Sequence, residues 1–169
     1  MASGDSVVQV LAVMPPGTTA ATLDTRPGGS TPAENVIVYD FDASTDEYMD
    51  FLCKLEGYAG GGLTFTLPWS ASSATSGQVR WEIGIRRMND DAEDLDGAHT
   101  YDYNGASDTC ASASGELSYP TLTFTDGADM DSWAEGELAI VRVHRDYDHA
   151  DDAMTGDAEL WGVPLGLET

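Results

Sequence analysis

Residues 59–88, AGGGLTFTLPWSASSATSGQVRWEIGIRRM, contain the two clearest strand patterns of the chain. In residues 63–69 large apolar side chains alternate with threonine and proline, and in residues 79–85 valine, tryptophan and isoleucine alternate with charged residues and glycine. Because successive side chains of a strand point to opposite faces, each run predicts one buried and one solvated face. The glycines before the first run and Ser76-Gly77 before the second favour turns. The stretch therefore predicts two strands, joined by a Ser/Thr/Gly connection, that the rest of the chain covers.

Further short strand patterns extend along most of the chain. The intervening segment 89–105 is a predicted polar loop with a turn at Asn104-Gly105, and residues 128–134 form the one predicted helical turn. About eight or nine short strands without helices favour an all-β, antiparallel β-sandwich, with a jelly roll as its form. The other predicted strands are residues 36–41, 47–55, 109–114, 117–125, 137–147 and 159–165.

The first 34 residues differ in composition from the remainder. They are rich in proline, glycine, threonine and alanine, and they contain one short apolar run at residues 7–13. This composition predicts an extended N-terminal arm with one strand, residues 1–34, followed by a β-sandwich domain, residues 35–169. At 169 residues the chain is long enough for one domain with a sizeable core.

The charge of the chain excludes some classes of partner. Thirty acidic residues face seven basic ones, so the formal net charge is −23. Such a surface repels nucleic acids and anionic membranes, and we expect neither as a partner. No apolar run approaches the roughly 20 residues of a membrane helix, and the N-terminus lacks the pattern of an export signal. The acidic surface suits a salty medium; a basic partner or bound divalent cations are the alternatives.

Two cysteines and three histidines are the candidates for redox or metal chemistry. Cys53 and Cys110 are too far apart for a CxxC motif, which leaves a disulfide or, as we favour, two free buried thiols. His144 and His149 lie among aspartates but lack zinc-binding spacing, so a solvated acidic loop is the favoured interpretation over a metal site. The third histidine is His99. The neighbouring aspartates are Asp146, Asp148, Asp151 and Asp152.

Two acidic clusters are candidates for loose calcium binding. The first departs from the EF-hand pattern at Ala92 and Tyr103, where acidic ligands would be required. We therefore predict no metal ligands, no cofactor and no catalytic residues. The first cluster consists of Asp90, Asp91, Asp94 and Asp96, and the second of Asp40, Asp42, Asp46 and Glu47.

The aromatic residues bear on two further functions, catalysis and sugar binding. No nucleophile motif such as GxSxG is present, and thirty acids make accidental carboxylate pairs common, so we expect no enzyme. Trp69 and Trp81 occupy the core-facing phase of their strands, whereas Trp133 lies in a loop and is the tryptophan predicted to be exposed. Tyr58 and Trp161 complete the aromatic residues that could line a sugar platform.

Three segments resemble small all-β structural proteins of tailed bacteriophages, such as head decoration (cement) proteins. They are residues 39–51 (YDFDASTDEYMDF), 60–85 (GGGLTFTLPWSASSATSGQVRWEIGI) and 151–169 (DDAMTGDAELWGVPLGLET). The resemblance covers residues 22–169. It implies a virion protein on the outer capsid surface that binds the major capsid protein lattice and self-associates, with a homotrimer as our hypothesis. A carbohydrate- or receptor-binding module of a tail or fibre is the alternative.

Overall fold

The computed structural model describes residues 7–31 and 33–169 and shows an all-β protein. Over these residues the regular structure comprises twelve strands and one 3-10 turn, Ala128–Met130, and every ladder between named strands is antiparallel. The predicted fold class, an antiparallel β-sandwich, is confirmed. The strands are β1 (Val8–Met14), β2 (Thr22–Pro27), β3 (Asn35–Phe41), β4 (Glu47–Leu55), β5 (Leu63–Thr66), β6 (Trp69–Ala71), β7 (Gln78–Met88), β8 (Tyr103–Thr109), β9 (Thr121–Phe124), β10 (Leu138–Arg145), β11 (Ala158–Leu160) and β12 (Leu165–Glu168).

Two layers make up the sandwich. The first layer has the strand order β1-β4-β10-β7-β8, and the second combines the orders β2-β3-β11-β6 and β12-β5-β9. The two parts of the second layer are continuous, because only Leu67 and Pro68 separate β5 from β6. Proline has no N–H to donate to a ladder, so the single strand predicted for residues 63–69 is divided in two. Backbone pairing continues across this interruption: the Trp161 amide donates to Pro68 O at 2.8 Å, and Trp69 pairs with Ser118.

The order in which the chain visits the layers bears on the predicted jelly roll. Without the edge strands β1 and β2, each layer contains four strands if β5 with β6, and β11 with β12, are each counted as one interrupted strand. The first layer then has the order β4, β10, β7, β8, and the second has the order β3, β11 with β12, β5 with β6, β9. We interpret this order as two interleaved Greek keys, the arrangement of a jelly roll. None of the described helical segments is long and apolar enough to cross a membrane.

The core forms between the two strands that the sequence singled out. Their connection, residues 72–77, crosses from one layer to the other, so β6 and β7 face each other and do not pair. Trp69 and Trp81 meet across the layers with ring centroids 5.9 Å apart, and Phe41 packs against Trp81 at 5.1 Å. All three side chains are fully buried. The prediction that Trp69 and Trp81 pack in the core is confirmed, and so is the prediction of free buried thiols at Cys53 and Cys110.

The described part of the predicted N-terminal arm does not extend away from the sandwich. β1 pairs with β4 at the edge of the first layer, and β2 pairs with β3 at the edge of the second. Val7 and Val8 are buried, and the predicted strand at residues 7–13 corresponds to β1. As edge strands, β1 and β2 each need a hydrogen-bonded neighbour on one side only, and the segments that join them to the other strands can be polar.

Several predicted boundaries differ from the observed ones. Asn104-Gly105 lies within β8 and forms no turn, and residues 110–114 form no strand. The strand predicted for residues 117–125 contracts to β9 because Pro120 precedes the ladder. Trp133, predicted to be exposed, is only 2% exposed, and its indole Nε1 donates to Glu137 O at 2.9 Å. The tight turn after Met130 directs this side chain inward.

The last residue of β10 places a charge inside the core. Ala139, Val141 and Val143 face inward, and the same phase buries the Arg145 side chain completely. Its guanidinium donates to both carboxylate oxygens of Asp152, at 3.0 and 2.9 Å, and also to three backbone carbonyls. The pair ties the end of β10 to the following loop, because an arginine buried without a partner would be strongly destabilising.

We expect Asp152→Ala to lower the free energy of unfolding by about 3–5 kcal/mol, since it leaves Arg145 buried and unpaired. The matched control is Asp151→Ala, whose side chain is 54% exposed and should change stability by about 0.5 kcal/mol or less. Urea denaturation of both variants measures the difference. Equal losses would contradict the role assigned to the buried pair.

Candidate ligand-binding groove

A groove with a cavity volume of about 540 Å³ opens on the outer side of the second layer. It lies where the end of β2 and the start of β3 meet the loop after β8 and the residue that follows β11. We call it the Trp161 groove. Its lining residues are Arg26, Pro27, Gly28, Gly29, Glu34, Val36, Ser114, Gly115, Glu116 and Trp161.

The indole of Trp161 is held in one orientation by a chain of hydrogen bonds. Its Nε1 donates to Ser70 Oγ at 2.9 Å, and Ser70 Oγ donates to a carboxylate oxygen of Glu159 at 2.9 Å. Ser70 and Glu159 are buried, whereas Trp161 is partly exposed at the groove. The polar edge of the ring is therefore satisfied from within the protein, and the exposed part of the ring faces the groove.

Arg26 forms the opposite part of the wall. It makes an ion pair with Glu159, and its Nη1 also donates to Ala71 O at 3.2 Å. Gly115 allows this approach: its backbone φ is +80°, and an added Cβ would lie 2.6 Å from Arg26 Nη2. Every hydrogen bond that Arg26 donates through its side chain to a described residue comes from Nη1. Its Nε and Nη2 thus retain donors for a ligand.

A second carboxyl group lies beside the Arg26–Glu159 pair. Asp40 is opposite Glu159 in the β3–β11 register, and its Oδ1 is buried without a hydrogen-bond partner among the described residues. Burial raises the pKa of Asp40 to about 7, and the nearby carboxylates of Asp157, Glu159, Asp24 and Glu47 act in the same direction. Asp40 therefore carries its proton for much of the time near neutral pH.

The groove combines an apolar surface with a few fixed polar groups. The Trp161 ring supplies the flat apolar surface, the Arg26 guanidinium supplies donors, and the exposed carboxylates of Glu34 and Glu116 supply acceptors at the rim. The volume of the groove lies within the range of about 300–1,000 Å³ that is typical of small-molecule sites, and its lining is more polar than most. The arrangement suits recognition of a ligand that has both an apolar face and hydroxyl groups.

Sequence reasoning considered Trp161 but missed Arg26, which lay in the predicted arm. The signal for Trp161 was its phase: Ala158 and Leu160 are buried in the core, so residues 159 and 161 face outward. Tyr58 lies elsewhere, at the start of a second cavity, where its hydroxyl donates to Asp126 at 2.7 Å. The predicted aromatic platform is therefore reduced to a single indole at the groove.

The structure separates most of the residues that the sequence analysis considered as candidate metal ligands. Asp152 binds Arg145, Asp151 accepts from Ser107 Oγ at 3.1 Å, and His99 packs against Tyr101. Over residues 7–31 and 33–169, one group of three potential ligands lies within a common coordination distance, and it consists of Asp46, His144 and Asp146.

The two acidic clusters are not brought together as calcium cages. In the first, Asp94 Oδ1 accepts from the Asp96 amide at 2.9 Å, and all four carboxylates are exposed. In the second, the Asp42 carboxylate accepts from the Ser44 amide and hydroxyl, and Glu47 accepts from the Asp42 amide at 2.8 Å. These contacts shape local turns, whereas Asp40 lies opposite Glu159 and Asp46 lies beside His144.

Comparisons with known proteins add little to this geometry. No family model and no curated protein matches the chain. The enzymatically active domain of tailspike protein 4 of bacteriophage CBA120 aligns with a TM-score of 0.47 and 10% identity, over 92% of this chain and 19% of that one. TmCBM61, solved in complex with β-1,4-galactotriose, aligns with a TM-score of 0.37 and 11% identity, over 99% of this chain and 86% of that one. At these values neither alignment bears on function, and the resemblance to phage head proteins stays a prediction.

Asp40→Asn should make the protein more stable at pH 8 and leave its stability nearly unchanged at pH 4. Because the folded-state pKa of Asp40 is about 7 and its unfolded value about 4, the contribution of its proton to stability is complete below pH 4 and is lost as the pH rises through 7. Allowing for solvent screening, we expect a gain of about 1–2 kcal/mol at pH 8 in urea denaturation.

Asp42→Asn is the matched control for this experiment. Hydrogen bonds from Ser44 lower the pKa of Asp42, so its charged form stabilises the fold above its unfolded pKa. The asparagine variant should therefore lose stability at pH 8. A change of the same sign in both variants would refute the assignment of opposite environments.

Proposed function

We propose that this protein is a carbohydrate-binding β-sandwich module that holds a neutral oligosaccharide in the Trp161 groove. The observation that carries the proposal is the Trp161 indole, which is fixed through Nε1 to Ser70 and partly exposed within the cavity. A ring that is already oriented loses little conformational entropy when a ligand binds. Sugars present C–H faces that pack on an aromatic ring and hydroxyl groups that require fixed donors and acceptors.

The polar groups of the groove fit the hydroxyl groups of such a ligand. Arg26 offers planar donors that its ion pair with Glu159 keeps in place. Glu34 and Glu116 offer acceptors at the rim, where solvent lowers the cost of desolvating a carboxylate. These groups would select a ligand with neighbouring hydroxyls over a purely apolar one.

The charge of the protein selects the class of sugar. A net charge of −23 and two rim carboxylates produce a negative potential around the groove. Acidic sugars would be repelled by this potential, most strongly at low ionic strength. The proposed ligand is therefore a neutral oligosaccharide, and the protein is proposed to bind it without transforming it.

Trp161→Ala should weaken binding to the best neutral ligand on a glycan array by at least about tenfold, which corresponds to about 1.4 kcal/mol. The expected cause is the loss of the stacking surface, and isothermal titration calorimetry measures it. Tyr119→Ala is the control, because Tyr119 is 59% exposed and lies outside the groove lining. Unchanged affinity in Trp161→Ala, or silence of the wild type on the array, would refute the proposal.

A second proposal, assembly into a virion, is favoured by a different surface. Four large apolar residues are exposed on the first three strands, and we call them the edge strip. Its members are Leu11, Val13, Leu23 and Ile37, with exposed fractions of 53%, 38%, 64% and 57%. β1, with the sequence VQVLAVM, carries neither charge nor proline. Natural edge strands that must stay unpaired usually carry one or the other.

Register places parts of the edge strip at the same open side of the sandwich. Val13 is paired with Phe51 in the first layer, and Leu23 with Tyr39 in the second. Tyr39 and Phe51 touch across the layers, with centroids 6.0 Å apart. Val13 and Leu23 are each one strand farther out, where the layers end. A second copy of the chain that covers this side would bury apolar surface and could form backbone hydrogen bonds with the free edge of β1.

The finer form of this proposal follows from the resemblance noted in the sequence. It is a capsid decoration protein that self-associates, as a homotrimer, on the major capsid protein lattice. The folded position of β1 and β2 changes its mechanism: contacts would be made by an edge of the sandwich and not by a free arm. Repetition over a lattice would convert modest contacts into strong attachment.

The double variant Leu23→Ser/Ile37→Ser should raise the dissociation constant of the self-associated protein at least about tenfold, because it removes apolar area from the edge strip. Sedimentation equilibrium at high salt, where self-repulsion is screened, is the measurement. Leu95→Ser is the control, since Leu95 is 64% exposed in the loop after β7. A monomeric wild type, or an equal effect of the control, would contradict the assembly proposal.

A further inference from the structure

A buried histidine lies on the side of the first layer that faces away from the core, near the end of β10 and close to two aspartates. His144 of β10 is opposite Tyr48 of β4 and Glu82 of β7 in the sheet register. Asp46 precedes Tyr48 by two residues and Asp146 follows His144 by two. Asp46 lies just before β4 and Asp146 just after β10, and the structure brings a carboxylate oxygen of each close to the imidazole.

The imidazole of His144 is buried and lacks hydrogen-bond partners. His144 is 6% exposed, and neither ring nitrogen makes a hydrogen bond with any described residue. Tyr48 stacks on the ring with centroids 4.4 Å apart, and Tyr103 approaches it at 5.5 Å. Two aromatic neighbours thus hold the ring with its nitrogens directed at acidic groups on both sides.

Carboxylates lie near both ring nitrogens. Nε2 is 3.4 Å from Asp46 Oδ1, and Nδ1 is 3.4 Å from Glu82 Oε2. A neutral imidazole has one N–H, so only one of these carboxylates can receive a proton from it. The other ring nitrogen presents a lone pair to a negatively charged oxygen. A cation between that nitrogen and the carboxylate would remove the repulsion.

We propose that Asp46, His144 and Asp146 bind one divalent first-row transition-metal ion, with Zn²⁺ as the reference case. Their ligand atoms lie within 4.8 Å of one another. Two donors of a tetrahedral zinc site lie about 3.3 Å apart, given bond lengths of about 2.0–2.1 Å. The observed 3.4 Å between His144 Nε2 and Asp46 Oδ1 matches that separation. Three protein ligands leave a fourth position for water.

Glu82 completes the site without contacting the ion. A metal-binding histidine commonly donates its other N–H to a carboxylate, which fixes the ring and its tautomer. Glu82 Oε2 is placed to accept from Nδ1, so Nε2 carries the lone pair that faces Asp46. Arg80 donates to Glu82 Oε1 at 3.3 Å and steadies that carboxylate in turn.

The donor set also selects the class of metal. Calcium and magnesium prefer oxygen ligands alone, whereas an imidazole nitrogen favours zinc, cobalt, nickel or copper. The Asp46 side chain is 36% exposed, which leaves a path for the ion. Metal binding here would connect the start of β4 with the end of β10 and should raise the thermal stability of the protein.

The test uses the full chain after treatment with a chelator. Titration with Co²⁺, followed by visible absorption, should show one site per chain, and competition with Zn²⁺ should remove the signal. His144→Gln should weaken the site at least about tenfold, equivalent to about 1.4 kcal/mol. Asp46→Asn should do the same, and because Asp46 is partly exposed this variant retains the buried ring.

His149→Gln is the matched control, because its ring lies near Asp151 and outside the proposed site. This variant should keep the affinity and the absorption bands of the wild type. Equal cobalt binding by wild type and His144→Gln would overturn the proposal and indicate diffuse attraction to the acidic surface. An imidazolium at His144, seen by nitrogen NMR at neutral pH with no response to Zn²⁺ or Co²⁺, would overturn it as well.

Discussion

The contact between Trp69 and Trp81 across the two layers is the constraint on which the rest of the structure depends. Both indoles are fully buried, and the strands that carry them lie in opposite sheets. Burying a tryptophan removes a large apolar area from water, so the chain gains most when residues 72–77 cross from one layer to the other. Once this crossing is made, the alternation of each strand determines which side chains remain outside. The groove and the histidine cluster are both built from those outward positions.

The two outer faces of the sandwich differ in how they use charge. On the second layer, Arg26 and Glu159 form an ion pair that supports an indole and leaves donors toward solvent. On the first layer, Asp50 binds Arg142 through two hydrogen bonds, at 2.7 and 2.8 Å, and acidic groups surround His144. Most of the few basic side chains are thus engaged with carboxylates. Arg86 differs from the other arginines, because its guanidinium donates to the backbone carbonyls of Asp94 and Gly97.

The sequence predicted much of the fold because period-two alternation reports directly on burial. Residues 47–55 form β4 as predicted, with Met49, Phe51, Cys53 and Leu55 buried. Alternation does not report which strands become neighbours. It therefore could not predict the crossing between β6 and β7 or the attachment of β1 and β2. Polar edge strands are the hardest case, since they are recognised by backbone pairing more than by apolar side chains.

The candidate sites were less predictable than the fold, for a related reason. Trp161 and Arg26 are 135 positions apart in the chain and meet through the pairing of β2, β3 and β11. Asp46 and His144 meet because β4 and β10 are antiparallel neighbours. Sequence reasoning grouped His144 with aspartates close by in the chain. In the structure Asp152 binds Arg145, and Asp46, which lies just before β4, joins His144 and Asp146.

The origin of Arg26 in an edge strand has one more consequence. In the sheet β2 pairs with β3 alone, and the Arg26 side chain adds contacts to Glu159 and Ala71; this edge strand supplies one side of the groove. Detachment of this strand would dismantle the groove, and a bound ligand would in turn oppose detachment. A contact that holds the outermost strands in place would therefore strengthen ligand binding, and a bound ligand would strengthen that contact by the same coupling free energy.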